Sequence, residues 1–185
     1  MNEGTGSTVY SIIDNSIGAG TTTYTKSGLV TGQEYKFIVI AVNAVGQSLQ
    51  SNPSSAIIVG VTPDAPGDPT YLSSSETSMQ FAWTSPVDAG RSDGGTDLLG
   101  YKIQWDGGNS AAASLTDLVT INDPSTTSFT ISSPTYSIVT GTVYRIRVLA
   151  INSVGTGSPS SILEIMPASL PQAPNQPTVK MASST

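Results

Sequence analysis

The sequence of 185 residues contains neither cysteine nor histidine, and these two absences exclude much of the chemistry that proteins perform. Without cysteine the chain has no disulfide and no thiolate nucleophile. Without histidine it lacks the commonest general base and the commonest zinc ligand. A serine nucleophile would have no histidine to activate it, and no two carboxylates are marked as an acid–base pair. The composition predicts that the protein is not an enzyme and needs no cofactor.

Charge is also scarce, since only 11% of the residues are charged and the formal net charge is −6. The seven lysines and arginines are scattered, whereas nucleic-acid binding needs clustered basic residues. The longest apolar runs have the length of a strand, so we expect no membrane insertion within this segment. Serine and threonine take the place of charge, which is typical of extended surface proteins. We therefore expect an extracellular or cell-surface location.

What the chain does contain is a long internal repeat. The stretch YKFIVIAVNAVG, which begins at Tyr35, recurs 109 residues later as YRIRVLAINSVG, which begins at Tyr144. A second match, between the segments that begin at Ala65 and Ala173, is offset by 108 residues. A period of this length corresponds to one small domain rather than to one turn of a solenoid. The sequence therefore predicts a tandem array.

Every strong local signal is that of a β-strand, because segments rich in Val, Ile, Thr and Tyr alternate with period two and are separated by Gly, Pro, Asn, Asp and Ser. In the complete repeat we predict seven strands, at residues 69–73, 78–84, 98–105, 118–121, 128–131, 143–152 and 161–166. Seven short strands in about 100 residues are typical of a β-sandwich with two packed sheets.

Several motifs of the complete repeat together resemble a fibronectin type III domain. They include the prolines before the first strand, Trp83 on the second, the Gly100-Tyr101-x-Ile103-x-Trp105 pattern on the third, and the sixth strand from Tyr144 to Asn152. Ile138 precedes Tyr144 by six residues, as Leu29 precedes Tyr35, which is similar to a tyrosine corner. The Asp93-Gly94-Gly95 loop is similar to that of titin-like type III domains. The resemblance implies an all-β fold of tandem immunoglobulin-like sandwiches.

The repeat divides the chain into three parts. We predict a partial type III unit at residues 1–62, which we call the first unit and which holds four strands, near 8–13, 22–26, 34–43 and 56–61. Residues 63–168 are predicted to form the complete unit. Residues 169–185 are a linker and the first strand of a following unit. Prolines in residues 64–67 and 170–174 predict short, semi-rigid links.

Partial units have two explanations, which the sequence leaves open. The chain is either a piece of a longer array, or partial units of neighbouring chains complete each other head to tail. Neighbouring repeats or copies of the same chain are therefore the expected partners.

Two groups of residues are candidate sites. Asp88, Asp93 and Asp97 lie in one glycine-rich loop, which is either a weak Ca²⁺ site or a solvated turn. A predicted contact surface lies on the sixth strand of the first unit, where the outward residues are Lys36, Ile38, Ile40 and Val42. The alternative is that neighbouring side chains of the same sheet cover them. Serine- and threonine-rich turns leave O-linked glycans open near residues 21–25, 73–75 and 126–128.

The most plausible function from sequence is a non-catalytic structural segment of a large surface protein that forms filaments by end-to-end assembly. One alternative is an adhesive module for a protein or glycan, with Trp105 as an aromatic platform. Another is a spacer beside a catalytic domain of a multidomain enzyme.

Overall fold

The computed structural model describes residues 1–2, 8–86, 92–109, 111, 115–169, 171 and 173–178. This part of the chain contains ten β-strands and no helix, which confirms the all-β prediction. In the described residues nothing forms a helix that is long and apolar enough to cross a bilayer. The strands are β1 (Glu34–Tyr35), β2 (Ile57–Ile58), β3 (Thr70–Ser75), β4 (Ser78–Ala82), β5 (Leu98–Trp105), β6 (Thr116–Ile121), β7 (Ser128–Ser132), β8 (Tyr144–Asn152), β9 (Thr156–Pro159) and β10 (Leu163–Ile165).

The complete unit is built from two antiparallel sheets. One sheet has the order β3-β4-β7, and the other has the order β10-β8-β5-β6, with β9 also paired to β8. Its core contains the inward residues of both sheets, which lie at every second position because side chains alternate along a strand. The fully buried members include Met79, Phe81, Tyr101, Ile103, Ile131, Ile146, Val148 and Ala150.

Aromatic rings fill the centre of this core. The rings of Trp83 and Tyr101 meet edge to face at 5.3 Å between centroids, and Phe81 lies 5.9 Å from Trp83. Such tilted and edge-on contacts are the favoured geometries of aromatic pairs. Trp83, predicted as a core residue of the second strand, is 4% exposed and lies just beyond the end of β4.

Both predicted tyrosine corners form, with the same geometry. The Tyr144 hydroxyl accepts a hydrogen bond from the backbone N–H of Val139 at 2.8 Å. The Tyr35 hydroxyl accepts one from the N–H of Val30 at 3.1 Å. Since Val30 and Val139 are themselves 109 residues apart, the repeat extends from sequence to hydrogen bonding.

The last predicted strand of the complete unit is divided in two. β9 ends at Pro159 and β10 begins at Leu163, whereas the sequence predicted one strand over residues 161–166. Between them Ser160 uses its hydroxyl to accept the N–H of Val148 at 3.0 Å, while its own N–H donates to the Val148 carbonyl at 2.8 Å. A side chain therefore replaces one backbone pairing at the break.

The first unit has less regular structure than predicted. Its strands are limited to β1 and β2, which pair with each other, and to an isolated bridge between Val42 and Gln47. Residues 8–13 and 22–26 are not strands in the structure. Their alternating pattern is present, but within the described residues no neighbouring strand supplies the backbone partners that a sheet requires.

Serine hydroxyls support the rest of this unit. Ser48, Ser51 and Ser54 accept the N–H groups of Ala41, Val39 and Phe37, each at 3.0 Å. Each serine N–H also donates to the carbonyl of the same partner residue. Ser51 and Val39 correspond in the repeat to Ser160 and Val148. The first unit thus uses three times, with a spacing of three residues, the contact that the complete unit uses once.

Candidate functional site

The two units meet at a joint, which we define as residues 59–64 together with residues 92–96 and 152–158. The loop between β4 and β5 carries Asp93, Gly94 and Gly95 and lies against the chain that leaves the first unit. The N–H of Val61 donates to the Gly94 carbonyl at 2.9 Å, and the N–H of Asp64 donates to the Ser92 carbonyl at 2.8 Å. The Asp-Gly-Gly loop is therefore bonded to the link between units.

Asn152, the last residue of β8, connects three segments at the joint. Its side-chain amide donates to the carbonyl of Val61 at 2.7 Å and to that of Asp93 at 2.8 Å. Its side-chain oxygen accepts the N–H groups of Val154 and Gly155, which closes the turn after β8. Asn152 is 2% exposed, so these bonds form away from water, where an unmade bond is costly.

The joint is packed so closely that side chains are excluded at several positions. A Cβ at Gly94 would lie 2.1 Å from the Val61 carbonyl oxygen, and one at Gly157 would lie 2.1 Å from that of Pro63. A Cβ at Gly95 would lie 2.6 Å from the Gly32 nitrogen, and one at Gly60 would lie 2.7 Å from Cγ2 of Thr96. Gly94 and Gly95 also have φ values of 82° and 78°, which favour glycine. The glycines allow the two units to touch through their backbones.

The predicted Ca²⁺ ligands are not brought together by the described residues. The Asp93 carboxylate accepts the N–H of Gly95 at 2.7 Å, which stabilises the loop itself. Asp97 is exposed, and Asp88 lies outside the described residues. The part of the chain that the structure describes holds no group of three acidic side chains that could bind a metal ion. The Ca²⁺ site therefore stays a prediction.

Lys36, Ile38 and Ile40, of the predicted contact surface, are half-buried, while Val42 is 70% exposed. The opposite face of the same segment is less covered than the sequence implied. Val39 is 71% exposed, although its counterpart Val148 is fully buried in the complete unit. The first unit thus has accessible apolar residues on both faces, and the contact surface stays a prediction.

Trp105 packs against the protein instead of standing free. Its ring stacks on Tyr144, with centroids 5.5 Å apart and planes at 13°, and it meets Tyr136 edge to face at 6.0 Å. This geometry favours the structural alternative over an aromatic platform for sugar.

The residue after Trp105 forms the one buried ion pair of the described part of the chain. Asp106 has a side chain that is 0% exposed, and it accepts Nε of Arg145 at 2.8 Å. It also accepts the backbone N–H groups of Gly108 and Arg145. Burial raises the pKa of Asp106, but these hydrogen bonds and the arginine charge outweigh it, so the pKa lies below its usual value.

Sequence reasoning missed two residues of the joint, Gly60 and Asn152. The repeat contained a signal for the second, because Asn43 recurs as Asn152 at the end of the same strand. Asn43 also accepts N–H groups in the turn that follows, from Val45 and Gly46. For Gly60 there was no signal, since the corresponding residue of the complete unit is Ala168.

Comparison with known proteins agrees with this architecture. The model of the fibronectin type III domain matches residues 64–166. The chain is 34% identical over 144 residues to M-protein of striated muscle from Gallus gallus, which covers 72% of this chain and 9% of that protein. It is 31% identical over 151 residues to receptor-type tyrosine-protein phosphatase F from Danio rerio, which covers 80% of this chain and 7% of that protein. The chain thus spans less than a tenth of the length of these curated relatives.

A solved structure shows the same fold. The crystal structure of domains A168–A170 from titin superposes with a TM-score of 0.54 at 23% identity, covering 72% of this chain and 41% of that one. The sandwich topology, the paired tyrosine corners and the match to more than half of the sequence lead to one assignment: the chain belongs to the fibronectin type III family.

Proposed function

We propose that this chain is a non-catalytic structural segment of a large extracellular or cell-surface protein, in which successive type III units are held at a fixed angle. The observation that carries the proposal is the joint. Val61, Pro63 and Asp64 are hydrogen-bonded to the complete unit, so the link between units is not a free hinge. A spacer or filament needs such a link, because a flexible one would not keep the units in line.

The extracellular part of the proposal is supported by composition. Few residues are charged, and serine and threonine supply much of the polar surface. O-linked glycans on serine- and threonine-rich turns fit such a surface.

End-to-end assembly is supported by the uncovered face of the first unit. Phe37, Val39 and Ala41 correspond to Ile146, Val148 and Ala150, all of which are fully buried in the complete unit. A face of this kind is stable only when further strands cover it. We propose that residues 1–62 are completed by strands from elsewhere in the array or from a neighbouring copy, and that residues 169–185 begin the next unit.

An adhesive module is the second candidate. It is favoured by the turn of the first unit, where Val45 is 97% exposed and Leu49 is 93% exposed, next to Val42. A cluster of exposed apolar side chains marks a contact surface more often than single ones do. This surface would serve a protein partner better than a glycan, since it offers few hydrogen-bonding groups.

The fixed joint is tested by a distance measurement between units. Spin labels on Gln50→Cys and Thr120→Cys, in a chain that has no other cysteine, report the inter-unit distance by electron–electron resonance. We expect a narrow distribution for the parent chain and a broad one after Gly94→Ala, because the new Cβ would meet the Val61 carbonyl at 2.1 Å.

Gly107→Ala is the matched control. Gly107 also has a positive φ, of 65°, but a Cβ there meets no atom within 4 Å. The control therefore carries the same backbone strain without touching the joint, and it should leave the distribution narrow. A broad distribution in the parent chain would contradict a fixed joint. Electron microscopy of the full-length protein then separates filaments from single particles, and binding on a glycan array would favour the adhesive alternative.

A further inference from the structure

The far end of the complete unit repeats the local structure that receives the Asp-Gly-Gly loop at the joint. In the first unit this structure is a corner formed by Thr31 and Gly32, whose N–H donates to the Val59 carbonyl at 2.6 Å. In the complete unit the corner is formed by Thr140 and Gly141, whose N–H donates to the Pro167 carbonyl at 2.9 Å. Gly32 and Gly141 have nearly equal φ values, 76° and 79°.

The two corners differ in what covers them. At the joint, the position of a Cβ on Gly95 is 2.6 Å from the Gly32 nitrogen and from Cγ2 of Thr31, so the loop lies directly on the first corner. Thr31 and Gly32 are half-buried there, whereas Thr140 and Gly141 are exposed. A Cβ built on Gly141 meets no atom within 4 Å. The second corner thus has the backbone of the first and an open surface above it.

We propose that Thr140 and Gly141, with residues 167–169, form a docking surface for the Gly-Gly loop of another type III unit. The partner is identified by the occupied corner of this same chain, which a Gly-Gly loop contacts through its backbone. This inference rests on the proposed function, because it assigns the surface by which one unit of an array holds the next.

The surface also selects its partner by size. Ala168 corresponds to Gly60, and a Cβ on Gly60 would lie 2.7 Å from Cγ2 of Thr96. The docked loop must therefore carry a residue smaller than threonine at the position of Thr96. This change costs the loop little, because the Thr96 hydroxyl is buried with no hydrogen-bond partner among the described residues. The partner is thus a unit with two glycines followed by a small residue.

The experiment uses an extended chain in which residues 1–172 are followed by a second copy of residues 65–178. Ala168→Cys is combined with Thr96→Cys in the added copy, and the disulfide yield under mild oxidation is measured. The corresponding pair at the existing joint, Gly60→Cys with Thr96→Cys, is the positive reference in the original chain. Positions 60 and 96 are close enough for a disulfide, whose Cβ atoms lie about 3.5–4.5 Å apart. Near-UV circular dichroism establishes that the added copy is folded.

We expect the two pairs to form disulfides with yields that agree within about twofold. Glu164→Cys with Thr96→Cys is the matched negative control, because residue 164 is exposed on the same final strand but outside the surface. A yield for position 168 that is no higher than that for position 164 would overturn the docking surface. If position 60 still forms its disulfide in that case, the fixed joint of the proposed function stands. If position 60 also fails, both proposals fall.

Discussion

Single residues fix this fold through hydrogen bonds that the repeat preserves. The tyrosine corner is the best example, because Tyr35 and Tyr144 hold their loops through bonds to residues exactly one period apart, Val30 and Val139. Tyr144 is 1% exposed, so its hydroxyl partners have little access to water.

Tyr144→Phe tests this bond directly. The substitution keeps the ring and its stacking on Trp105 but leaves the Val139 N–H without its acceptor. We expect a loss of about 1–3 kcal/mol in the free energy of unfolding, measured by urea denaturation. Tyr71→Phe is the control, since the Tyr71 hydroxyl contacts Ser74 on the exposed surface and its loss should cost far less. Equal effects of the two substitutions would contradict the role of the corner.

Asp106 predicts a specific dependence of stability on pH. Its pKa is lowered in the folded state, so its contribution is complete above the ordinary aspartate pKa of about 3.9 and is lost as the pH falls through the lower, folded value. Asp106→Asn should cost about 1.5–3 kcal/mol at pH 7, because a charged hydrogen bond to Arg145 is lost. The difference from the parent chain should shrink below about pH 4.

The control for this pair is Asp117→Asn. Asp117 contacts Lys102 at 2.8 Å, but its side chain is 53% exposed, and surface ion pairs contribute less than about 1 kcal/mol. Denaturation curves at several pH values give all three stabilities. A difference for Asp106→Asn that stays constant down to pH 2 would show that its carboxylate is not the group involved.

At the scale of elements, the sequence predicted most strands of the complete unit correctly and failed where a strand depends on something other than its own pattern. β5 was predicted with both ends correct, and β8 within one residue, because alternation is regular there and both strands lie in the middle of a sheet. Residues 8–13 alternate equally well but form no strand, since alternation does not supply a neighbour to pair with. The division between β9 and β10 arises from the hydroxyl of Ser160, which periodicity does not encode.

Ser160→Ala tests that division. The N–H of Val148 is buried, and the substitution removes its acceptor at 3.0 Å. We expect a loss of about 1–3 kcal/mol in the free energy of unfolding. Ser158→Ala, two residues earlier on β9, is exposed and should change stability by less than about 0.5 kcal/mol. If both variants unfold at the same urea concentration, the serine contact is not what supports the strand break.

The candidate site was predictable in composition but not in role. The sequence singled out the Asp93-Gly94-Gly95 loop and suggested metal binding or a solvated turn. The loop instead lies against Val61 and Gly32, which are 33 and 62 residues before Gly94 and Gly95 backbone groups that the sequence gives no means to pair. Which surface a glycine faces depends on the arrangement of two units, and local residue patterns do not carry that information.

At the scale of the whole molecule, the two units differ in how well their equivalent strands are covered. Residues 146–152 are mostly buried, whereas residues 39 and 41–43, which correspond to 148 and 150–152, are exposed. Hydrogen exchange opens most readily where few apolar contacts protect the backbone.

We therefore expect the amides of residues 37–43 to exchange faster than those of residues 146–152 in the isolated chain. Mass spectrometry of peptides from the two segments measures both rates in one sample. Since the segments share most of their sequence pattern, each serves as the reference for the other. Equal protection would mean that the first unit is covered in solution, as by a second copy, and a repeat of the measurement at lower protein concentration would reveal such a dimer.

The bonds made by residues 61–64 have a mechanical consequence. A connector with free backbone groups straightens under tension before it transmits load, and so acts as slack between neighbouring domains. Here the N–H of Val61, the carbonyl of Pro63 and the N–H of Asp64 are all engaged by the complete unit. A pull along the chain is therefore met at once by hydrogen bonds at the bases of its loops, and stretching begins with those bonds rather than with the connector.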